Sequence, residues 1–396
     1  MHVPDGFLNA PVSVATGAVA AAAVAVSLRG ARRELAGAAA HHGAERTAPL
    51  AGLVAAFVFA VQMLNFPVGA GTSGHLMGGA LAAILVGPYT GVLALSVVLL
   101  MQALLFADGG LTALGTNITL IGVVTVVASY AVFRALVRVL PRRRGSVTAA
   151  AFVSALLSVP AAAAVFTGLY ALGGTAEVPL GKVLTAMLGV HTLIGVGEAL
   201  ITTATVGAVL AVRPDLVYAA RGLARPLVLR SGPVATPGAG PVPQAATTST
   251  TTSGTDGPAE APAPATRPAS ARKVWAGGLA ATLLCAGVVS FYASGAPDGL
   301  ERVAGEYGIS TEEEHGLAGS PLADYGIASI ADERLSGGLA GVIGAGTTLA
   351  AGTGVLVVVS RRRNARATAG AAAAPAADGG AGRAESDTGR TPAGNA

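Results

Sequence analysis

Met1-His2 opens the chain, and Gly71-Thr72-Ser73-Gly74-His75 stands before a long apolar run. A metal ion offered a free α-amine and the amide nitrogen of residue 2 closes a five-membered chelate ring. Nδ1 of His2 closes a six-membered ring with the same amide, which works only because the histidine stands at position two. Three nitrogens in one plane leave a fourth equatorial position, and a distant imidazole such as His75 can fill it. Planar nitrogen coordination suits nickel(II) and copper(II), and a planar cobalt(II) complex is chemically reasonable. Gly71, Gly74, Gly78 and Gly79 flank His75 and permit close backbone approach. The bland alternative is a solvated His2 and a glycine-rich loop that serves helix packing alone.

The amine takes part only if Met1 is retained. Methionine aminopeptidases generally need a small second residue, and His2 is large, so Met1 is expected to be the mature end. No basic region of a secretory signal precedes the first apolar stretch. His191 and Glu198, seven residues apart, fall nearly on one face of a predicted helix. Ionisable groups at membrane depth are candidates for a metal path or for support of the site. The alternative is packing against polar groups such as Gln102, Asn117 or Thr192. His41 and His42 read as solvated or as a weak adventitious site, and His315, in the acidic outer segment, as a surface group able to attract cations. No His-Glu-x-x-His motif occurs. Gly174 to Lys182 has the wrong spacing for a phosphate loop, with Val183 where Ser or Thr is needed, so no enzymatic ATP hydrolysis is expected from this chain.

The elements that must position these residues are membrane helices. Only 12% of the 396 residues are charged, mean hydropathy is +0.63, and apolar stretches of about 20 residues recur. The basic residues sit in short clusters between those stretches, which reads as topology and excludes a nucleic-acid surface. The single cysteine, Cys285, provides neither a disulfide framework nor a thiolate metal site. Spans are expected over about Pro11–Leu28, Leu50–Phe66, Leu76–Val86, Pro88–Phe106, Thr116–Arg134, Val147–Leu172 and Val183–Val212. Arg29, Arg32, Arg33 and Arg46 are read as lying in a polar loop after the first. Counting from an outside N-terminus, with Leu76–Val86 as one crossing, puts every arginine cluster on the cytoplasmic side. Residues 231–271 are a Pro/Thr/Ala-rich linker expected to be disordered. Two further spans, Val274–Tyr292 and Gly338–Ser360, form a hairpin with an acidic outer loop. The tail, 364–396, is expected to be disordered and cytoplasmic. Pro4-Asp5-Gly6 and Pro297-Asp298-Gly299 read as turn starters.

Met1-His2-Val3-Pro4-Asp5-Gly6-Phe7-Leu8, Gly71 to Gly79, Ala107-Asp108-Gly109-Gly110-Leu111 and His191 to Glu198 resemble the CbiM/NikM substrate-binding component of energy-coupling-factor cobalt and nickel ABC importers. Ala296-Pro297-Asp298-Gly299-Leu300-Glu301 resembles the PDGLE domain, related to the small CbiN/NikN component. The resemblance implies an all-α polytopic fold: a seven-helix bundle over 1–230, joined to a two-helix hairpin over 272–363. It implies Ni²⁺ or Co²⁺ as transported substrate, for cobalamin synthesis or nickel enzymes, with no organic cofactor. The implied ligands are the Met1 amine, the His2 amide and imidazole nitrogens, and the His75 imidazole. The implied partners are a transmembrane coupling protein (CbiQ/NikQ-like), ATPase subunits (CbiO/NikO-like) and membrane lipid. A self-sufficient proton-coupled cation transporter working through His191 and Glu198 is the competing reading.

Overall fold

With almost no water to satisfy backbone groups in hydrocarbon, apolar stretches of this length fold as helices. The computed structural model describes residues 1–42, 44–69, 71–141, 143–223, 271–306 and 319–372. Its elements are α1 (Ala10–His42), α2 (Ala44–Gln62), β1 (Phe66–Gly69), β2 (Thr72–Gly74), α3 (Gly79–Val86) and α4 (Pro88–Leu105). Next come α5 (Leu114–Asn117), a π-helical stretch (Ile118–Val124) and α6 (Thr125–Val139), which together form one rod. Then follow α7 (Arg144–Gly173), α8 (Leu180–Val212), α9 (Ala271–Gly287), α10 (Gly299–Glu306) and α11 (Glu333–Ala372). Seven described helical segments are long and apolar enough to cross a membrane, two of them in the C-terminal hairpin. The other five, with the shorter apolar helices α2 and α3, make the expected seven-helix set. Val14, Val19 and Val26 of α1 are exposed, as befits a helix facing lipid.

Two expectations are corrected. The first basic segment is not a loop, because α1 runs on to His42. Arg, Glu and Ala are strong helix formers, so the helix continues past the apolar stretch. Glu34 on this extension is buried and accepts bonds from the Tyr89 amide (3.2 Å), the Thr90 amide (2.7 Å) and the Thr90 hydroxyl (2.8 Å), capping the start of α4. Second, Leu76 is not helical. The third segment is a descending non-helical stretch followed by α3, whose eight residues rise only about 12 Å. The chain reverses at Gly87, where φ is 100° and a side chain would be strained. A helix so short persists because protein surrounds it: Gly79 to Leu85 are all buried.

The hairpin lies against the bundle, with α11 on α2 and α9 beside them. A Cβ on Gly52 would fall 2.2 Å from Thr353 Oγ1, so this glycine sets how near the two helices approach. Residues 231–270 of the expected linker, His315 and residues 373–396 of the tail lie outside the described residues, as do the side chains of His41 and His42.

Candidate metal centre

The first nine residues run back into one end of the bundle and are pinned along their length. Asp5 accepts bonds from the Leu111, Thr112 and Ala113 amides and from the Thr112 hydroxyl. Burial alone would raise its carboxyl, but these donors outweigh it and hold Asp5 below the usual carboxylate range. Asn117 grips Val3 twice: its Oδ1 accepts from the Val3 amide (2.8 Å), and its Nδ2 donates to the Val3 carbonyl (3.1 Å). Met1, Val3, Phe7 and Leu8 are buried in one apolar cluster with Phe166, Met187 and Leu300.

His75 reaches the same place from β2. Below it, Glu198 on α8 accepts from the Met77 amide (2.7 Å) and the Gly78 amide (3.1 Å), and Gln62 donates to the Met77 carbonyl (2.8 Å). Glu198 therefore braces the loop that carries His75, at the point where α3 begins. Removing it leaves two buried amides unsatisfied, at roughly 1–3 kcal/mol each. Glu198→Ala should accordingly lower the unfolding temperature in detergent well below that of Glu198→Gln. Equal melting of the two variants would contradict the brace.

At the centre, the Met1 nitrogen lies 2.9 Å from His75 Nε2 and 3.0 Å from Asp298 Oδ2. His75 Nδ1 contacts the Leu76 carbonyl at 3.0 Å. A carbonyl only accepts, so Nδ1 carries the hydrogen and Nε2 presents its lone pair to the amine. The His2 and His75 rings stack, with centroids 4.9 Å apart and planes 14° from parallel. His2 Nδ1 donates to Asp108 Oδ1 at 2.9 Å. Among the described residues no three His, Cys, Asp or Glu side chains form a metal-binding group. The nitrogens that converge here are the Met1 amine and the His2 and His75 imidazoles, with the His2 amide between them.

Charge at this end is balanced by carboxylates. Burial would raise Asp298, but the adjacent Met1 ammonium holds it well below the ordinary carboxylate range. Asp108 is likewise held down, against burial, by His2 and by hydrogen bonds from His2 and Tyr325. Burial pushes the His75 imidazole down to about 3, and the Met1 ammonium and His2 act in the same direction. The stability gained by keeping His75 neutral is complete above about pH 6.5 and is lost progressively as pH falls towards His75's lowered value. Wild type should thus lose melting temperature relative to His75→Gln as pH is lowered from about 7 to about 4. A constant difference would show that His75 is not buried neutral.

Met1, His2 and His75 are brought together. His191 is fully buried nearby, its Nδ1 on the Met187 carbonyl (2.8 Å) and its Nε2 without a hydrogen-bond partner. A Cβ on Gly299 would stand 3.1 Å from His191 Cε1, so this ring lies beneath the start of α10. Glu198 does not pair with Gln102, Asn117 or Thr192. Both its oxygens serve backbone amides. Sequence reasoning missed Asp298, Asp108, Asn117 and Tyr325 as parts of the centre. Asp298 stands in the sequence as a turn starter and Asp108 beside a pair of glycines, whereas Tyr325 carries no sequence signal. Asp298 does start a turn, its Oδ1 accepting from the Leu300 and Glu301 amides, but its other oxygen holds the chain end.

The profile of the family described as "Cobalt uptake substrate-specific transmembrane region" (CbiM) matches residues 2–216, and that of the PDGLE domain matches 272–361. A protein of Haloquadratum walsbyi named for metal transport is 40% identical over 218 residues, covering 55% of this chain and 94% of its own length. The fused nickel transport protein NikMN of Rhodobacter capsulatus is 34% identical over 238 residues, covering 57% of this chain and 66% of its own. The cobalt transport protein CbiM of Sorangium cellulosum is 33% identical over 226 residues, covering 55% and 94%.

Proposed function

The chain belongs to the CbiM family of cobalt uptake transmembrane proteins and carries a PDGLE domain, and from that premise we propose that it is the metal-capturing membrane subunit of an energy-coupling-factor ABC importer of Ni²⁺ or Co²⁺. The observation that carries this reading is the convergence of the Met1 nitrogen with the stacked His2 and His75 rings. In the proposal the Met1 amine, the His2 amide and Nδ1, and His75 Nε2 bind the cation. Residues 1–230 form the capturing domain and 272–363 the hairpin that completes it. Glu198 supports the His75 loop, and the unpartnered His191 Nε2 borders the path of the cation. A coupling protein of CbiQ/NikQ type and ATPases of CbiO/NikO type supply the energy from separate chains.

The proposed orientation has the N-terminus outside and the C-terminus in the cytoplasm. Arg221 and Lys273 line a cavity of about 620 Å³ with Glu34, Leu85 and Val212, at the end of the bundle opposite the site. Basic residues gather on the cytoplasmic side of membrane proteins. Metal analysis of purified protein with an unmodified Met1, followed by competition between Ni²⁺ and Co²⁺, tests the function. Stoichiometric tight binding of either ion is expected. Absence of binding to both would remove the proposal.

A further inference from the structure

Tyr325, in the segment between α10 and α11, ends a chain of hydrogen bonds that begins at His2. The His2 ring donates to Asp108 Oδ1 at 2.9 Å, the Tyr325 hydroxyl donates to Asp108 Oδ2 at 2.5 Å, and Gln102 Nε2 donates to that hydroxyl at 3.1 Å. A phenol has one hydrogen to give, so these two contacts settle its orientation. The Tyr325 ring stacks on Phe106, with centroids 4.8 Å apart. The neighbouring backbone is tied to the same helix end, the Asp324 amide donating to the Phe106 carbonyl at 3.0 Å and Ser320 Oγ to the Leu105 carbonyl at 2.5 Å.

The backbone carries an independent observation. Among the described residues the non-glycine positions with positive φ are Ala107 (53°), Asp324 (53°) and Tyr325 (57°). All three flank this one chain of hydrogen bonds: Ala107 precedes Asp108, and the other two deliver the tyrosine. Non-glycine residues held in this region persist where their surroundings over-determine them, and they gather at functional sites.

Building on the proposed ligand set, we infer that Tyr325 is a positioning residue for metal capture: it fixes Asp108, and through Asp108 the ring of His2. One nitrogen cannot both donate to Asp108 and bind a metal, so loading through His2 Nδ1 requires the imidazole to turn and hand the bond to Asp108 over to its Nε2–H, which is buried and without a hydrogen-bond partner in the metal-free structure. Tyr325 holds the carboxylate in place while the imidazole turns. The C-terminal hairpin thus reaches His2 through a single hydroxyl, separately from its contact with Met1 through Asp298.

The test is nickel(II) titration of the full-length protein as wild type, Tyr325→Phe, Asp108→Asn and the double variant. Phenylalanine keeps the stack on Phe106, and thermal unfolding of each metal-free variant checks the fold. Tyr325→Phe should weaken nickel binding by about 10- to 100-fold, the usual effect of losing a partner behind a metal-binding histidine. The visible d–d absorption of planar nickel(II) should be retained. In the Asp108→Asn background the same change should add nothing, because its route to His2 is already cut. Gln102→Met, which removes the donor to the hydroxyl without altering Tyr325, should give a smaller loss in the same direction. Wild-type affinity in Tyr325→Phe, or losses that multiply in the double variant, would overturn the inference while leaving the proposed function standing. Failure of the wild type itself to bind would instead strike the function.

Discussion

A single glycine placed before Met1 should lower nickel(II) and cobalt(II) affinity by at least about 100-fold, since it displaces a ligand outright and not merely a supporting contact. The structure explains why slack cannot absorb the insertion. Val3 is gripped on both sides by Asn117, and Asp5 is held by four donors, so the distance from these clamps to the chain end is fixed. Beyond the clamps there is room for two residues, the second a histidine. Met1 is only 2% exposed, and its nitrogen already contacts His75 and Asp298. An added residue therefore either pushes the histidine out of chelating position or buries an amide where an ammonium stood. Calorimetric titration of extended and native-start proteins decides the matter, with His2→Ala and His75→Ala as companions. Unchanged affinity in the extended protein would remove the α-amine from the ligand set.

Deleting residues 272–361 should reduce nickel uptake by cells about tenfold or more, on the scale of losing several supporting contacts at once. The hairpin does not merely sit beside the site. The Pro297 carbonyl accepts from the Ser73 amide (2.9 Å), and the Ala296 carbonyl accepts from Ser73 Oγ (2.6 Å), two residues before His75. Asp298 pairs with Met1, Leu300 and Val303 share the apolar cluster of the N-terminal segment, and Tyr325 holds Asp108. Supplying the hairpin as a separate chain should restore part of the uptake. Uptake at the full rate without any hairpin would show that the bundle assembles its site unaided.

Much of this organisation was legible in the residues. Apolar stretch lengths gave the helices, because burial of backbone polar groups in hydrocarbon permits little else. The chelating role proposed for His2 rests on ring size, a local property of the chain. The contacts made by Asp298 and Tyr325 could not be read, since they join positions more than 200 residues apart through side chains of ordinary type. Glu198 stands out in the sequence as a carboxylate within an apolar helix, but its partners are backbone amides, which sequence does not distinguish. Charge ends the apolar stretch of α1 but not the helix, so hydropathy alone places a loop where α1 runs on to His42.

Burial of the Met1 nitrogen also sets a condition on how each molecule is finished after synthesis. A formyl or acetyl group would turn the amine into an amide, cancelling the charge that pairs with Asp298 and withdrawing the lone pair that the proposed coordination uses. Excision of Met1 would leave the new amine a residue short of His75. Maturation enzymes, and not folding alone, would then determine what fraction of correctly folded protein is able to load. Incomplete processing in an overproducing cell would appear as a uniform, well-folded preparation with less than one metal per chain.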